Sequence, residues 1–457
     1  MGYSRTQTIY VALTPAQVWE LLTDTDAWLQ FDDQLQRFSP VDMAGDRLQV
    51  GDTVKVVPKA LIRGFIHAVT APPATLVTVD AQRELAWRQD QPGGYTLQSW
   101  QIERSGHGGT NLTRHIRVVG PLAAPLGAAL AEPLAGDLGA VGARMVQMAS
   151  PGPKLDQPLN IVAGGSGYLG SRLVTRLLAA GQRAVVLTRN PASGAPYPQA
   201  RWGNEDLGPL HECLMDEAGF NIINLVGRRL GPKFTAEEVR QHTASRVGPT
   251  RTLRSAVTQA QAAGGVLHRW IQGSAVPLWD PHSTAEFTEF TSPTADRDGP
   301  AGMGQLVTDW EASAPDDAII VRTGVVIGQQ AEITMGLAAM ALSKTRPSID
   351  GSLPWIHEDD WIGIIQHLLA TPNPPSTVVA VAPQQTRLSE AINAFAPGLG
   401  PRSIPVPAKL LHIGMQVIGM EPGLLMGSTT ARSTVLEDAG YAFRFPTIAA
   451  AADAVTL

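Results

Sequence analysis

The sequence predicts a doubly wound parallel α/β sheet, preceded by an α+β unit in which a curved antiparallel sheet grips a long helix. Three observations carry this. The apolar run Leu159–Ala163 meets the glycine-rich string Gly164–Gly170 and then an amphipathic helix, the opening of a β-α-β unit. The chain before it shows one helix start and then several runs that alternate like half-buried strands. Between the two lies PGPKLDQP, residues 151–158, whose three prolines and glycine cannot continue a helix and read as a stiff connector. The expected division is therefore 1–150, a linker at 151–157, a dinucleotide-binding unit at 158–400 and a small substrate subdomain at 401–457.

Composition bounds the rest. A chain of 457 residues, 44% hydrophobic and 17% charged, is a globular mixture and excludes a disordered chain, a coiled coil or a collagen. The net charge of −6 offers no electrostatic handle for nucleic acid or an anionic membrane. Cys213 is the one cysteine, which excludes an intrachain disulfide and a Cys-rich metal site. No HExxH-type spacing or carboxylate cluster stands out, so no metal is expected. The opening MGYSRTQTIYV has no apolar signal core, and Pro125, Glu132, Pro133 and Asp137 interrupt the Ala/Leu-rich stretch 121–145. Met1-Gly2 with Thr6 fits a bare myristoylation pattern, read as a chance match leading into a strand. A reducing, cytoplasmic setting follows as the expectation.

In the first unit a strand pattern at 6–12 leads to Thr14 as helix cap, Pro15 at the first helical position and Gln17 three residues past the cap. Val18, Leu21 and Leu22 supply that helix's buried face. Strands are expected at 53–57, 76–80, 95–104 and 111–119, with turns at 91–94 and 106–109. A long helix, 122–148, interrupted near Pro133, closes the unit. The order of elements, with VALTPAQVWELLTD and GGTNLTRHIRVVGP, resembles the START-like, polyketide-cyclase-like helix-grip family. That resemblance implies an apolar small-molecule ligand between sheet and helix. Trp28, Trp87 and Trp100 could line such a cavity, but core packing is the expectation, since buried aromatics usually pack.

In the second unit Gly164 permits the tight turn off the strand. Gly167 lets backbone approach a diphosphate at the helix N-terminus, and Gly170 lets that helix pack close. Gly165, Ser166, Tyr168 and Leu169 complete the loop. The spacing is GxxGxxG, a variant typical of extended short-chain dehydrogenases. The second strand, 183–188, ends Thr188-Arg189, and a guanidinium there suits a 2′-phosphate, so NADP(H) is expected over NAD(H). A buried strand at 220–226 ends in Val226-Gly227, where a glycine lets backbone pass close to the cofactor. A long helix at 236–261 and strands at 268–274 and 318–322 complete a Rossmann-type sheet.

The phrases IVAGGSGYLG, VVLTRNP, NIINLVG, QGSAV, TDWEASA, IIVRTGVVIG, PWIHEDDW and LEDAGYAFRFP together resemble the epimerase-like branch of extended short-chain dehydrogenases, a branch with a C-terminal domain of unknown function. Some members are fused to an N-terminal helix-grip unit. The resemblance implies that Arg246 is the arginine this branch carries on its long helix. It also implies a Tyr-x-x-x-Lys dyad, yet Met303 stands at the tyrosine place and Val307 at the lysine place. None of the six tyrosines has a lysine four residues on.

Ser274, just after a buried strand, sits where the superfamily places a hydroxyl that binds the reacting oxygen. His357 is the alternative acid, because imidazole titrates near neutrality, although a loop anchor and helix cap is the expected role of such phrases. Asp359 and Asp360 read as helix-capping carboxylates, and Asp309 and Glu311 as a solvated helix face or capping partner. Met415, Met420 and Met426 could line the substrate pocket or simply pack. The activity expected is NADP(H)-dependent hydride transfer with a carbonyl or alcohol substrate. A non-catalytic NADP(H) sensor and a nucleotide-sugar epimerase are the alternatives.

Overall fold

The computed structural model describes all residues except 1, 60–71, 92, 107, 121–134, 151, 153–155, 204–206, 230–234, 280–284, 294–302, 330, 348–349, 396–403, 407–427 and 456–457. The first unit is a seven-stranded antiparallel sheet: β1 (Gly2–Val11), β2 (Leu35–Asp42), β3 (Thr53–Pro58), β4 (Ala74–Asp80), β5 (Glu84–Gln91), β6 (Gly94–Arg104) and β7 (Thr110–Val119). The spatial order is β1-β7-β6-β5-β4-β3-β2. β2 and β5 are the strands that alternation left unassigned.

Helices α1 (Pro15–Thr23) and α2 (Trp28–Phe31) follow β1. The capping box forms as expected: Thr14 Oγ1 accepts from the Gln17 amide, and Gln17 Oε1 accepts from the Thr14 amide. The tryptophans are core. Trp28 stacks on Phe38 at 4.3 Å and meets Trp87 and Trp100 edge-on at 5.4 Å, all four buried.

Of the long helix expected at 122–148, the described part is α3 (Leu138–Ala149). Gly136, at φ +44, turns the chain into Asp137, whose extended backbone and Oδ1 cap α3 through the Gly139 amide. Met415, Met420 and Met426 lie outside the described residues, as do Pro151 and 153–155 of the linker.

The second unit is a parallel sheet of β8 (Leu159–Ala163), β9 (Ala184–Thr188), β10 (Gln199–Arg201), β11 (Phe220–Asn224), β12 (Leu267–Ala275), β13 (Ile319–Thr323) and β14 (Thr377–Ala380). Its order is β10-β9-β8-β11-β12-β13-β14, so the winding reverses between β8 and β11. Ligands of such sheets bind at the carboxyl ends of the strands flanking that reversal. The helices that matter to the site are α4 (Tyr168–Ala179), α5 (Ala236–Ala262), α6 (Met303–Glu311) and α7 (Glu358–Ala370). Leu173, Val174 and Leu177 bury α4 against the sheet, and Gly181, at φ +70, ends it.

The other side of α4 belongs to the first unit. Helix α3 lies so close that a β-carbon on Gly139 would fall 2.6 Å from Thr175 Oγ1, and one on Gly142 3.2 Å from Ala179 Cβ. Thr175 donates to Asp137, the Ala12 amide donates to the Ala179 carbonyl, and Arg444 donates to the Thr8 carbonyl. The helix behind the glycine loop is thus fastened to both units.

Candidate functional site

Gly164 has φ +79, and a β-carbon there would fall 2.5 Å from the Leu225 carbonyl oxygen. The loop after β8 is therefore pressed against the loop after β11, at the winding reversal, and only glycine satisfies both demands. A β-carbon on Gly170 would strike the Gly164 carbonyl at 2.5 Å, so α4 starts directly on the loop. Gly165 is pinned by Val186, whose Cγ2 would stand 2.8 Å from its β-carbon. Gly167 caps α4 without a side-chain hydrogen bond, and Ser166 and Gly167 are exposed. This is a cradle of backbone amides at a helix N-terminus, the geometry that suits a dinucleotide diphosphate.

The other expected cofactor residues distribute around it. Thr188 ends β9, where its Oγ1 accepts from the Asn190 amide, and Arg189 projects exposed with no ion pair among the described residues. Leu169 is half-buried against the sheet core. Tyr168 contributes its amide to the helix start, but its hydroxyl turns away and donates to Glu358, whose carboxylate Arg172 Nε also holds at 2.8 Å. Burial raises both the Tyr168 phenol and the Glu358 carboxyl above their ordinary ranges.

Val226 follows β11 at the rim, and a β-carbon on Gly227 would fall 2.8 Å from Arg246 Cζ. Arg246 is held by the His242 and Arg228 carbonyls and lies over the Trp310 ring at 5.2 Å. Burial pushes its guanidinium down to about 10. Beneath, the buried Asn224 donates to Thr250 Oγ1 and Gln272 Oε1, tying β11 to α5 and β12.

Ser274 is buried at the carboxyl end of β12, opposite Arg322 on β13. Its hydroxyl donates to Glu311 Oε1 at 2.5 Å, and Arg322 grips the same carboxylate with Nε at 3.0 Å and Nη2 at 3.1 Å. The expectation of a solvated face for Glu311 is thereby corrected. The last residue of α6 turns inward because a buried guanidinium needs a counter-charge. The signal was present in TDWEASA and IIVRTGVV, where the Trp-Glu and Arg-Thr-Gly phrases stand close in sequence. Val307, at the lysine place of the usual dyad, is buried in apolar packing with Val276 and Leu306, and Met303 packs against that cluster.

His357 stands apart from this group. Its Nδ1 accepts from the Asp359 amide and caps α7, its ring meets Phe445 at a tilt with centroids 3.9 Å apart, and burial pushes its pKa down to about 4. The structure thus places His357 as the cap of α7: with Nδ1 accepting from backbone its proton sits on Nε2, and the uncharged ring is a far weaker acid than the imidazolium that the alternative-acid role called for. Asp359 and Asp360, expected as capping carboxylates, are not the cap. Asp359 pairs with Arg176 and Arg444, and Asp360 accepts from the Arg444 and Phe445 amides. Glu289, which sequence reading passed over, accepts from the Val379 and Thr434 amides and joins β14 to the C-terminal segment.

Among the described residues no group of His, Cys, Asp and Glu could hold a metal ion. Among them, too, no helix is long and apolar enough to cross a membrane.

Comparison with known proteins bears on each unit. Residues 4–148 match the family described as polyketide cyclase / dehydrase and lipid transport, and residues 160–379 the NAD dependent epimerase/dehydratase family. Residues 406–455 match a domain of unknown function, DUF1731. The epimerase family protein SDR39U1 of Bos taurus is 31% identical over 309 residues, 64% of this chain and 97% of its own. The crystal structure of human SDR39U1 (isoform2) with NADPH superposes with a TM-score of 0.54 at 27% identity, covering 65% of this chain and 98% of that one. A nucleoside-diphosphate sugar epimerase from Corynebacterium glutamicum shares the fold across 98% of this chain and 89% of its own, with a TM-score of 0.56 at 18% identity. The chain belongs to the epimerase family of extended short-chain dehydrogenase-like proteins, fused at its N-terminus to a polyketide-cyclase-like unit.

Proposed function

We propose that this protein is an NADP(H)-dependent oxidoreductase that interconverts a carbonyl and an alcohol, and that its N-terminal unit binds an apolar small molecule. The observation that carries the first part is the fit of Gly164 against Leu225, which leaves a side-chain-free cradle at the start of α4. Arg189, exposed and unpaired among the described residues, favours a 2′-phosphate. The human relative crystallised with NADPH points the same way.

Bound nicotinamide supplies the hydride donor or acceptor; the chain supplies the rest. Ser274, whose own proton is directed at Glu311, presents lone pairs to a substrate hydroxyl. A proton leaving that hydroxyl passes to Ser274 Oγ as the serine proton passes to Glu311 Oε1, while Arg322 holds the carboxylate in place. Gly227 and Arg246 border the cofactor side of the site, and Trp310 backs the arginine. The apolar ligand of the N-terminal unit rests on its match to a family described by lipid transport.

A second reading, a non-catalytic NADP(H) sensor, draws on Met303 and Val307, since neither can donate a proton from the places of the missing dyad. Single-turnover absorbance of reduced nicotinamide with a panel of ketones and aldehydes separates the two. Oxidation that slows on Ser274→Ala supports the enzyme. Tight cofactor binding with no oxidation by any carbonyl that binds favours the sensor.

A further inference from the structure

We infer that the N-terminal unit recognises a carboxylate-bearing apolar molecule, whose head sits on Gln98, Trp100 and Arg114 on the helix-facing side of β6 and β7. This rests on the apolar-ligand reading above and adds the chemistry of the head group.

The helix-facing positions of β1, β6 and β7 are apolar at one end: Ile9, Val11, Ile102 and Leu112 are all core. Further along the same face the series changes character. The register sets Trp100 beside Arg114 and Arg114 beside Gln7, while the next row sets Gln98 beside Ile116 and Ile116 beside Arg5. Directly opposed residues share a face of the sheet, so these side chains form one polar patch two rows deep. It is buried: Gln98 and Arg114 are each 1% exposed and Trp100 is 0% exposed.

The patch is unsatisfied on one side. Arg114 Nη2 donates to Gln7 Oε1 at 2.8 Å, and Nη1 lies at a long 3.4 Å from Asp32 Oδ2. Arg114 Nε, Trp100 Nε1 and both amide atoms of Gln98 have no partner among the described residues. Buried polar groups are nearly always paired, so three donor nitrogens left over on one face of the sheet call for an acceptor that the described residues do not provide.

The charge points to an anion. Burial pushes Arg114 down to about 10, which leaves it cationic at neutral pH, and the nearby Arg5 acts in the same direction. The same burial raises the Asp32 carboxyl, so the facing carboxylate is a reluctant one. A guanidinium in this position is best met by charge-assisted hydrogen bonds to a second carboxylate. The surroundings set the rest of the molecule: Trp28, Phe38, Trp87 and Leu85 make the adjoining wall apolar.

Isothermal titration of the full chain with matched pairs, dodecanoate against dodecanol and naphthoate against naphthol, tests the head group with two body shapes. The acid of at least one pair should bind roughly tenfold or more tightly than its alcohol. Arg114→Met should erase that preference. Gln98→Leu removes an unpaired amide from the core. It should melt at the same or a higher temperature without ligand, yet lose most of the preference for the acid. It therefore keeps the test decisive if the arginine variant does not fold. Equal affinity of acid and alcohol in both pairs, or an unchanged preference in Gln98→Leu, overturns the assignment while leaving the apolar-ligand reading intact. No binding of any of the four overturns both.

Discussion

Ser274 and Arg322 are register partners on adjacent parallel strands, and both reach the one carboxylate of Glu311. Removing that carboxylate leaves a buried guanidinium without its counter-charge. Glu311→Ala should therefore lower unfolding free energy in urea by about 3–5 kcal/mol, with Glu311→Gln costing less because it keeps the shape. A loss below about 1 kcal/mol for the alanine variant would mean that water replaces the carboxylate at Arg322.

Ser274→Ala should slow single-turnover hydride transfer about 10²–10³-fold and leave dinucleotide affinity unchanged, because the proposed role sets the hydroxyl at the reacting oxygen and not at the diphosphate cradle. A parallel loss of cofactor affinity in calorimetry would place Ser274 in the cofactor site instead.

Gly164→Ala should abolish measurable NADPH binding. The new methyl must occupy the space of the Leu225 carbonyl at a backbone angle of +79° that L-residues avoid. Retention of full affinity, read by fluorescence of the bound reduced nicotinamide, would remove the cradle from the account.

Arg189→Asp should reverse the preference between the two dinucleotides by about tenfold or more, since the carboxylate repels a 2′-phosphate and accepts from ribose hydroxyls. Dissociation constants for NADPH and NADH in both proteins decide it. Equal use of both cofactors by the unchanged chain would undermine the specificity.

His357 carries the acid-pH prediction. Its folded pKa, about 4, lies below the ordinary 6.5 because burial disfavours the imidazolium; Asp359 pulls the other way, and Arg444 and Arg176 add to the lowering. As pH falls below 6.5 the unfolded chain takes up a proton that the folded one refuses. Stability should thus decline between about pH 6.5 and 4, by on the order of 3 kcal/mol, and this contribution should level off below. His357→Asn, which can also cap α7, should flatten that decline in pH-dependent urea melts. An identical slope in both proteins would contradict it.

Much of the fold is legible because its signals are local. The cap at Thr14 and Gln17 needs three residues, and the turn after β8 needs seven, so backbone sterics alone select them. Strands β2 and β5 escape because their burial patterns do not alternate cleanly; Leu85, Ala86 and Trp87 are buried in succession. For the site, the cofactor cradle is written contiguously, whereas Ser274 and Glu311 lie 37 residues apart and meet only when α6 returns to the sheet. His357 could be read as acid or cap from its phrase. Its bond to the amide two residues on, and the Phe445 ring over it, settle the choice.

By itself the sequence determined the two architectures, the glycine cradle and the absence of the usual dyad, since each depends on residues near one another along the chain. The tertiary structure decided that Glu311 faces inward, that His357 is a cap, and that the two units are joined. That junction is hidden from periodicity because α4 meets α3 through Thr175, Arg176 and Ala179 against Gly139 and Gly142. Such a polar, small-residue face reads as solvent-exposed until a second helix, with glycines that let the backbones approach, is brought against it.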